Sequence, residues 1–483
     1  MEIQQPQNEH DAEFGFKFVG RSENDTEIFD YNFNPSFGAL ANSIRKSSRS
    51  LRNRLCSIKK DSEFVERVVE AYRLPVVTNA RAGDWYVDPK KRDGSVYFKS
   101  TDGHTGQWKF SSRRLNLGLL EIVVRRHGAI IVDSTRRGKR FPDSIAKTVP
   151  IWISVLNKVF FPEKDCIFYT NTLAVSPSEA SQIEQRIDGF VEQFLLLGLD
   201  LSPIKLLFLK PLRPIWVTPE SPLPLSPPEF TDFMPLVLVT ASRVIRGEGV
   251  ESEYIQGAGD DHEGWAAVSY ISLPRPCMVA NSTPYKESGL TPAIFWENHE
   301  LLLRASEDEL LDLVRSIVKS SDISDGSLSA TLVKPTKTIY VGSLASAKTH
   351  GGDYEVIVNC SAKPFGGDGA FRVIDFPIPE GKKGAGFLRT NLQNIIGLLD
   401  KNVGKKIIFA CLSGNDMAPA IALVILCLYY DNEGKYRKLE DRLEVNKPYI
   451  RRRLAWISSS RPEANPSRSS LNAVNSFLMD RPL

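Results

Sequence analysis

Six cysteines in 483 residues (Cys56, Cys166, Cys277, Cys360, Cys411 and Cys427) stand far apart with no CxxC pair. That scarcity excludes a zinc ribbon and a disulfide framework and suits a reducing compartment. Charge of one sign is equally scarce: 61 Lys and Arg against 58 Asp and Glu leave a net +3. Global charge therefore announces no nucleic-acid partner, and local clustering has to make that case. No apolar run reaches the roughly 18 to 20 residues that span a bilayer; the longest, Ala420 to Tyr430, falls short. The opening MEIQQPQNEHDAEFGF lacks the basic start and apolar centre of a secretory signal. These absences predict a cytoplasmic or nuclear protein with no membrane span, and they point to no stable protein partner.

What is present is an ordinary globular composition, 42% hydrophobic and 25% charged with 30 prolines and 32 glycines, in a chain too long for one hydrophobic core. Leu51, Leu55, Ile58, Phe64, Val65, Val68, Val69 and Tyr72 recur at helical spacing. The stretch Arg45 to Lys60 carries seven basic residues and no acid, a positive face that is either solvated or faces an anionic partner. Ala129 to Val132 and Leu236 to Val239 read as strands, Leu301 to Val318 as one helix. Ser176 to Leu197 reads as a helix capped near Ser178 with Ile183, Ile187, Phe190, Val191, Phe194 and Leu195 inward. Eight prolines between Pro203 and Pro228 predict a stiff, extended connection.

The Ser/Asp-rich stretch Lys319 to Ser329 is the best boundary in the chain, dividing a domain over 1–325 from one over 332–483. The second reads as alternating strands and helices: Thr338 to Val341, Val356 to Asn359, a helix around Phe387 to Leu399, Ile407 to Ala410, and a helix Ala418 to Tyr430. Such alternation predicts a small α/β domain with a parallel sheet. For the first domain the expectation is an α+β lobe; a kinase-like pairing of a lysine strand with an Asp loop around a polyphosphate is one form of it.

Four runs carry chemistry. In Phe98-Lys99-Ser100-Thr101-Asp102-Gly103-His104, a lysine can neutralise phosphate, and Asp102 and His104 can exchange protons; a hairpin turn with polar tips is the other reading. Strand 129–132 leads into Asp133-Ser134-Thr135-Arg136-Arg137-Gly138-Lys139-Arg140: a carboxylate for Mg²⁺, hydroxyls and backbone N–H groups for phosphate oxygens, and arginines for bidentate contacts. This loop resembles that of phosphoribosyltransferases, with one acid where those enzymes usually have two. Tyr254 to Glu263 follows a flexible Gly257/Gly259 pair with Asp260 and Asp261, oxygen ligands suited to a hard cation or an acidic solvated turn. Finally, Cys411-Leu412-Ser413-Gly414-Asn415-Asp416-Met417 lies between a strand and a helix as a Cys-phosphatase loop does. Met417 stands at the arginine position and Ala410 where a histidine is usual, so phosphate could be bound there without being hydrolysed.

Between Lys109 and Lys147 there are ten Lys or Arg against three acids, a local basic face able to bind a phosphate backbone or to pair with acids elsewhere. The segments Asn79 to Pro89, Phe98 to Leu120, Ile130 to Trp152, Tyr254 to Ala266 and Asn465 to Met479 together closely resemble the fungal and plant initiator-tRNA 2′-O-ribosylphosphate transferases, and the likeness spans nearly the whole chain. The resemblance implies transfer of 5-phosphoribose from phosphoribosyl pyrophosphate to the 2′-hydroxyl of the purine at position 64 of initiator methionine tRNA, a mark that keeps this tRNA from elongation. It also implies a C-terminal domain like the dual-specificity and tyrosine phosphatases, containing Cys411, Gly414 and Asp416.

Chemistry then suggests roles. Mg²⁺ would sit on Asp133 or on Asp260 and Asp261, with Lys99, Ser134, Thr135, Arg136, Arg137 and Lys139 on phosphate oxygens. The base that takes the 2′-OH proton would be Asp102 or His104, with Asp133 next. A-form RNA shows its 2′-hydroxyls in a shallow groove, and Arg45, Arg49, Arg52, Arg113, Arg114, Arg140, Arg451, Arg452 and the adjacent Arg453 are candidate backbone contacts. Two rival readings remain: chemistry at Cys411 with a first domain that only targets RNA, and a tRNA-binding adaptor without activity.

Overall fold

The computed structural model describes residues 50–80, 82–136, 138–245, 253–259, 290–320, 330–366, 372–379, 381–438 and 445–479. Its first half is built on strands β1 (Val76–Asn79), β2 (Gly94–Val96), β3 (Ala129–Asp133), β4 (Leu212–Val217) and β5 (Met234–Thr240), in the order β2-β1-β3-β5-β4. Every pairing is parallel. A parallel sheet covered on both faces needs apolar side chains on both sides of each strand, and the chain supplies them in alternation. Ala129 and Ile131 of β3, with Leu236 and Leu238 of β5, enter one core; Ile130, Val132, Val237 and Val239 enter the other.

Helices α1 (Leu51–Tyr72), α5 (Pro292–Arg304) and α6 (Glu307–Ser320) cover the second of these faces. Helices α2 (Leu117–Arg126), α3 (Val149–Phe160) and α4 (Pro177–Leu195) cover the first. The lobe mixes helices and strands as expected, and they alternate along the chain so that its sheet is wholly parallel. The βαβ order was obscured because β1 and β2 are only four and three residues long.

Three local expectations change. Pro203 to Pro228 is no mere connection: β4 runs through it, with Pro214 opposite Leu236. Proline is tolerated there because β4 is an edge strand whose outer side needs no N–H donor. The long helix expected over Leu301 to Val318 is two helices, α5 and α6, broken at Ala305, which turns extended with ψ 147. Ser176, not Ser178, caps α4 by accepting from the Glu179 N–H at 3.2 Å, and Leu195 is 57% exposed rather than inward.

The second half carries β6 (Thr331–Leu332), β7 (Ile339–Ser343), β8 (Val356–Asn359), β9 (Val373–Asp375) and β10 (Ile407–Cys411). Their order is β6-β7-β10-β8-β9, parallel except for β6. Helix α7 (Leu344–Thr349) covers one face. The other is covered by α8 (Gly381–Leu399), α9 (Met417–Tyr429), α10 (Lys447–Ser460) and α11 (Arg468–Met479). All of α9 is buried, as a helix apolar all round must be. Ser48–Leu483 form one compact unit. The two halves meet through Leu199, which packs on both cores, and through Ala455 of α10, which lies in the first half's core.

Candidate active site

In the first sheet the chain leaves β1 toward β2 on one side and later adds β3 and β5 on the other. That makes the carboxyl ends of β1 and β3 a topological switch point, where α/β sheets open a crevice for ligands. Asn79 ends β1 and Asp133 ends β3. The Asn79 amide donates to Asp133 Oδ2 at 2.7 Å and also to the Phe98 carbonyl at 3.0 Å, while its own Oδ1 accepts the Phe98 N–H at 2.7 Å. One side chain thereby ties together the loops that follow β1, β2 and β3. Sequence reasoning gave Asn79 no role; its position at the head of the Asn79 to Pro89 segment was the only signal.

Asp133 is 4% exposed. Its Oδ1 accepts the Ser134 N–H at 2.8 Å, and its Oδ2 accepts from Asn79 and from the Ser144 hydroxyl. The carboxylate is therefore an organiser of the crevice, with both oxygens engaged. Ser134 and Thr135 are buried as well. Arg136 and Lys139 are exposed, and Lys139 pairs with Asp143 at 2.9 Å. Arg140 lies 3.8 Å from Glu220.

Behind this loop, Gln256 donates to the carbonyls of Arg136 and Lys139 at 3.2 and 2.7 Å. Gly257 takes φ +66 so close to the loop that a Cβ would lie 2.4 Å from the Thr135 carbonyl oxygen. The backing residue Gln256, unassigned from sequence, stands beside the glycine that marks the segment. Arg45, Arg49, Arg137, Asp260 and Asp261 lie outside the described residues.

A second polar cluster borders the first. One π-helical turn, Ser144–Thr148, precedes α3, and such turns often mark functional sites because they rotate successive side chains onto different neighbours. Here Ser144 reaches Asp133, Thr148 donates to the Lys99 carbonyl at 3.1 Å, and buried Lys147 pairs with Glu179 at 2.7 Å. His104 Nε2 stands 3.6 Å from Asp143. Burial holds the Asp102 carboxyl above its ordinary range, while Lys99, Arg114, Lys109 and Arg113 pull it back. Glu179 was missed from sequence because its partner Lys147 lies 32 positions away, and Asp143 and Lys147 were read only as members of the basic stretch.

Arg113 and Arg114 join this cluster to the second half. Arg113 donates to the Pro466 carbonyl at 2.7 Å and Arg114 to Asn465 Oδ1 at 2.9 Å, its guanidinium lying 4.1 Å from the centre of the Tyr97 ring. The Asn465 N–H in turn binds the Asn415 carbonyl at 2.7 Å, and Asp416 Oδ1 accepts from Ser467 N–H and the Ser470 hydroxyl at 2.8 and 2.9 Å. The Cys411 loop is thus anchored on the α11 start and, through it, on the first half. Gly414 turns at φ +72 against the Gly342 carbonyl, and both Cys411 and Met417 are buried.

Of the other basic residues, Arg52 donates to the Ala305 carbonyl and Arg452 to the Leu197 carbonyl at 2.9 Å. Arg453 is buried between the Tyr449 and Trp456 rings. Arg451 is exposed.

Fold and site together define an α/β protein of two sheets whose polar cluster fills the switch point of the first. Residues 44–319 match the Rit1 N-terminal domain and residues 372–478 the Rit1 DUSP-like domain, and the chain belongs to the Rit1 family. It is 38% identical over 464 residues, 90% of this chain and 96% of the relative, to an uncharacterized protein of Schizosaccharomyces pombe. It is 31% identical over 532 residues, 96% and 99% of the two chains, to the tRNA A64-2′-O-ribosylphosphate transferase of Saccharomyces cerevisiae. Among solved structures, human DUSP28 is 15% identical over 31% of this chain and 92% of its own, with TM-score 0.25. The Yvh1 phosphatase domain of Chaetomium thermophilum is 14% identical over 31% and 95%, with TM-score 0.24. The family read from the motifs is borne out, and with it a phosphatase-like second domain.

Proposed function

We propose that this protein transfers the 5-phosphoribosyl group of phosphoribosyl pyrophosphate to the 2′-hydroxyl of the purine at position 64 of initiator methionine tRNA, marking it for initiation. The observation that carries this is the likeness, along 96% of the chain, to the yeast tRNA A64-2′-O-ribosylphosphate transferase. The switch-point crevice is in keeping with it. A loop held from behind by Gln256 and Gly257 presents Arg136, Lys139 and its backbone N–H groups to a polyphosphate.

The transfer forms a bond between the tRNA 2′-oxygen and C1′ of the donor as the bond from C1′ to pyrophosphate breaks, and the hydroxyl proton passes to a base. Asp102 is the base we favour. Half-buried, it holds its proton more readily than a free carboxylate, and it lies beside Lys99. His104, flanked by Asp143, is the alternative at the same loop. Lys99 and Arg136 would neutralise the departing pyrophosphate. Magnesium, carried in on the pyrophosphate, would spread that charge further. Asp133, which organises the crevice, and Asp260 and Asp261 would be the carboxylates that contact such an ion.

Arg114 and the exposed Arg451 are proposed tRNA contacts near the junction of the halves, and the protein would act in the cytoplasm. Among the described residues no helix is long and apolar enough to cross a membrane.

Incubation with radiolabelled phosphoribosyl pyrophosphate, Mg²⁺ and unmodified initiator tRNA tests the proposal, with an elongator tRNA as control. Label on initiator tRNA alone is expected; no label on any RNA would overturn it.

A further inference from the structure

Asp61 sits in the middle of α1, far in sequence from the crevice residues, and is buried. No lysine or arginine pairs with it among the described ion pairs. Its partners are hydroxyls: Tyr254 donates to Oδ1 and Ser242 to Oδ2, each at 2.7 Å. Since Ser242 gives its only hydroxyl hydrogen to Asp61, its oxygen must accept from its other neighbours. These are the Gly257 N–H at 3.1 Å, the Ser134 hydroxyl at 2.6 Å and, more distantly, the Tyr86 hydroxyl at 3.5 Å, and the two nearer ones use both lone pairs. The Tyr86 hydroxyl accepts the Gly259 N–H at 3.0 Å. Burial raises both phenols above their ordinary range, so both stay neutral and able to donate.

The hydrogens therefore point one way, from Ser134 to Ser242 to Asp61, with Tyr254 closing from the other side. The chain starts on the first residue of the 134–140 loop and ends on a carboxylate that only accepts. Ser134 is thereby turned inward and has no hydrogen left for a phosphate oxygen.

We propose that Asp61 is the positioning residue of the donor-binding loop: its carboxylate sets the direction of the hydroxyl chain that anchors Ser134, and so places the backbone N–H groups of Thr135 and Arg136 for the pyrophosphate. The inference rests on the phosphoribosyl-transfer reading of the crevice. Burial pushes the Asp61 carboxyl up to about 7, while the two hydroxyls and the Arg243 charge oppose the shift. Tyr86 and Tyr254 are the titratable groups against it and Arg243 the charge that acts on it. Protonation would give Asp61 a hydrogen to donate, and the one-way chain would break at Ser242 or at Tyr254.

Asp61→Asn keeps the shape and replaces one accepting oxygen by a donor. The expected result is a rise in donor KM of about tenfold or more, the size of one lost hydrogen bond to a charged group, with the effect on KM for the donor rather than on kcat or on KM for tRNA. Wild-type donor KM should rise as pH falls through about 7, and the variant should be flat there. A folded variant with wild-type donor KM and pH profile overturns the proposal. Tyr254→Phe, which removes one of the two donors to Asp61, serves if Asp61→Asn does not fold, and should move donor KM the same way. Hydrogen exchange at the amides of Ser134, Thr135 and Arg136 gives an arm that needs no donor: faster exchange in the variant supports the anchoring role, and unchanged exchange defeats it. A wild-type protein that labels no tRNA defeats the transfer reading, and the exchange arm still decides the anchoring role.

Discussion

The Asn79 amide donates to Asp133 Oδ2 at 2.7 Å, linking the last residues of two neighbouring parallel strands across the switch point of the first sheet. Asp133 is thereby held as an internal carboxylate among three hydrogen bonds, and its proposed role is to shape the crevice.

Replacing Asn79 by Ala should cost about 1–3 kcal/mol of stability, because Asp133 Oδ2 loses a buried donor and the Phe98 backbone loses its partner. Transfer activity should fall along with stability. Asp133→Ala should abolish transfer and be no milder in stability than Asn79→Ala. Thermal melts paired with the labelling assay check both, and an active, stable Asp133→Ala protein would remove Asp133 from the site.

Two glycines at positive φ should respond differently to alanine. Gly257 (φ +66) would place its Cβ 2.4 Å from the Thr135 oxygen, whereas a Cβ on Gly106 (φ +76) meets nothing within 4 Å. Gly106→Ala should cost only the conformational penalty of about 1–2 kcal/mol. Gly257→Ala adds the clash, and since it presses on the donor loop it should also raise donor KM. Denaturant melts and donor titrations on both variants test the contrast.

Asp61 makes folding stability depend on pH with an unusual sign. Its folded value is raised from 3.8 to about 7, so between those limits the folded state holds the proton more tightly than the unfolded one. Stability from this group is therefore greatest at low pH and is lost as pH rises through about 7, by a few kcal/mol in order of magnitude. Urea melts at pH 5.5 and 8, taken here as roughly bracketing values, should show wild type losing stability relative to Asp61→Asn at the higher pH.

Arg113 and Arg114 should behave as junction residues. Arg114→Ala frees Asn465 and should speed hydrogen exchange in 465–470, with a stability loss of about 1 kcal/mol. Arg451→Ala, on an exposed side chain, should leave exchange unchanged and lower tRNA affinity, reducing the salt dependence of binding by about one charge. Equal exchange in both variants would count against the junction role.

Cys411→Ser should leave transfer at the wild-type level, because buried Met417 occupies the place where a phosphatase loop carries arginine. The labelling assay measures this directly, and loss of transfer without loss of fold would bring the rival Cys411 chemistry back.

Much of this was legible along the chain. The continuous apolar runs in Ala129 to Val132 and Met234 to Val239 announce strands buried on both faces, and the apolar run Met417–Tyr429 announces a central helix, because burial demands hydrophobicity wherever water is excluded. The long motifs were enough to place the chain in its family. Short β1 and β2 and the proline-bearing edge strand β4 escaped notice, since three or four residues carry too little periodicity and an edge strand tolerates what a central one rejects.

The sequence by itself determined which segments must be buried and which residue types stand ready for phosphate and proton transfer. Only the tertiary structure decided which of those residues meet. Asn79 and Asp133, Asp61 and Ser242, Arg114 and Asn465 are separated by 54, 181 and 351 positions. Such partners are chosen by strand order and by the need to satisfy every buried polar group, neither of which leaves a trace in local sequence.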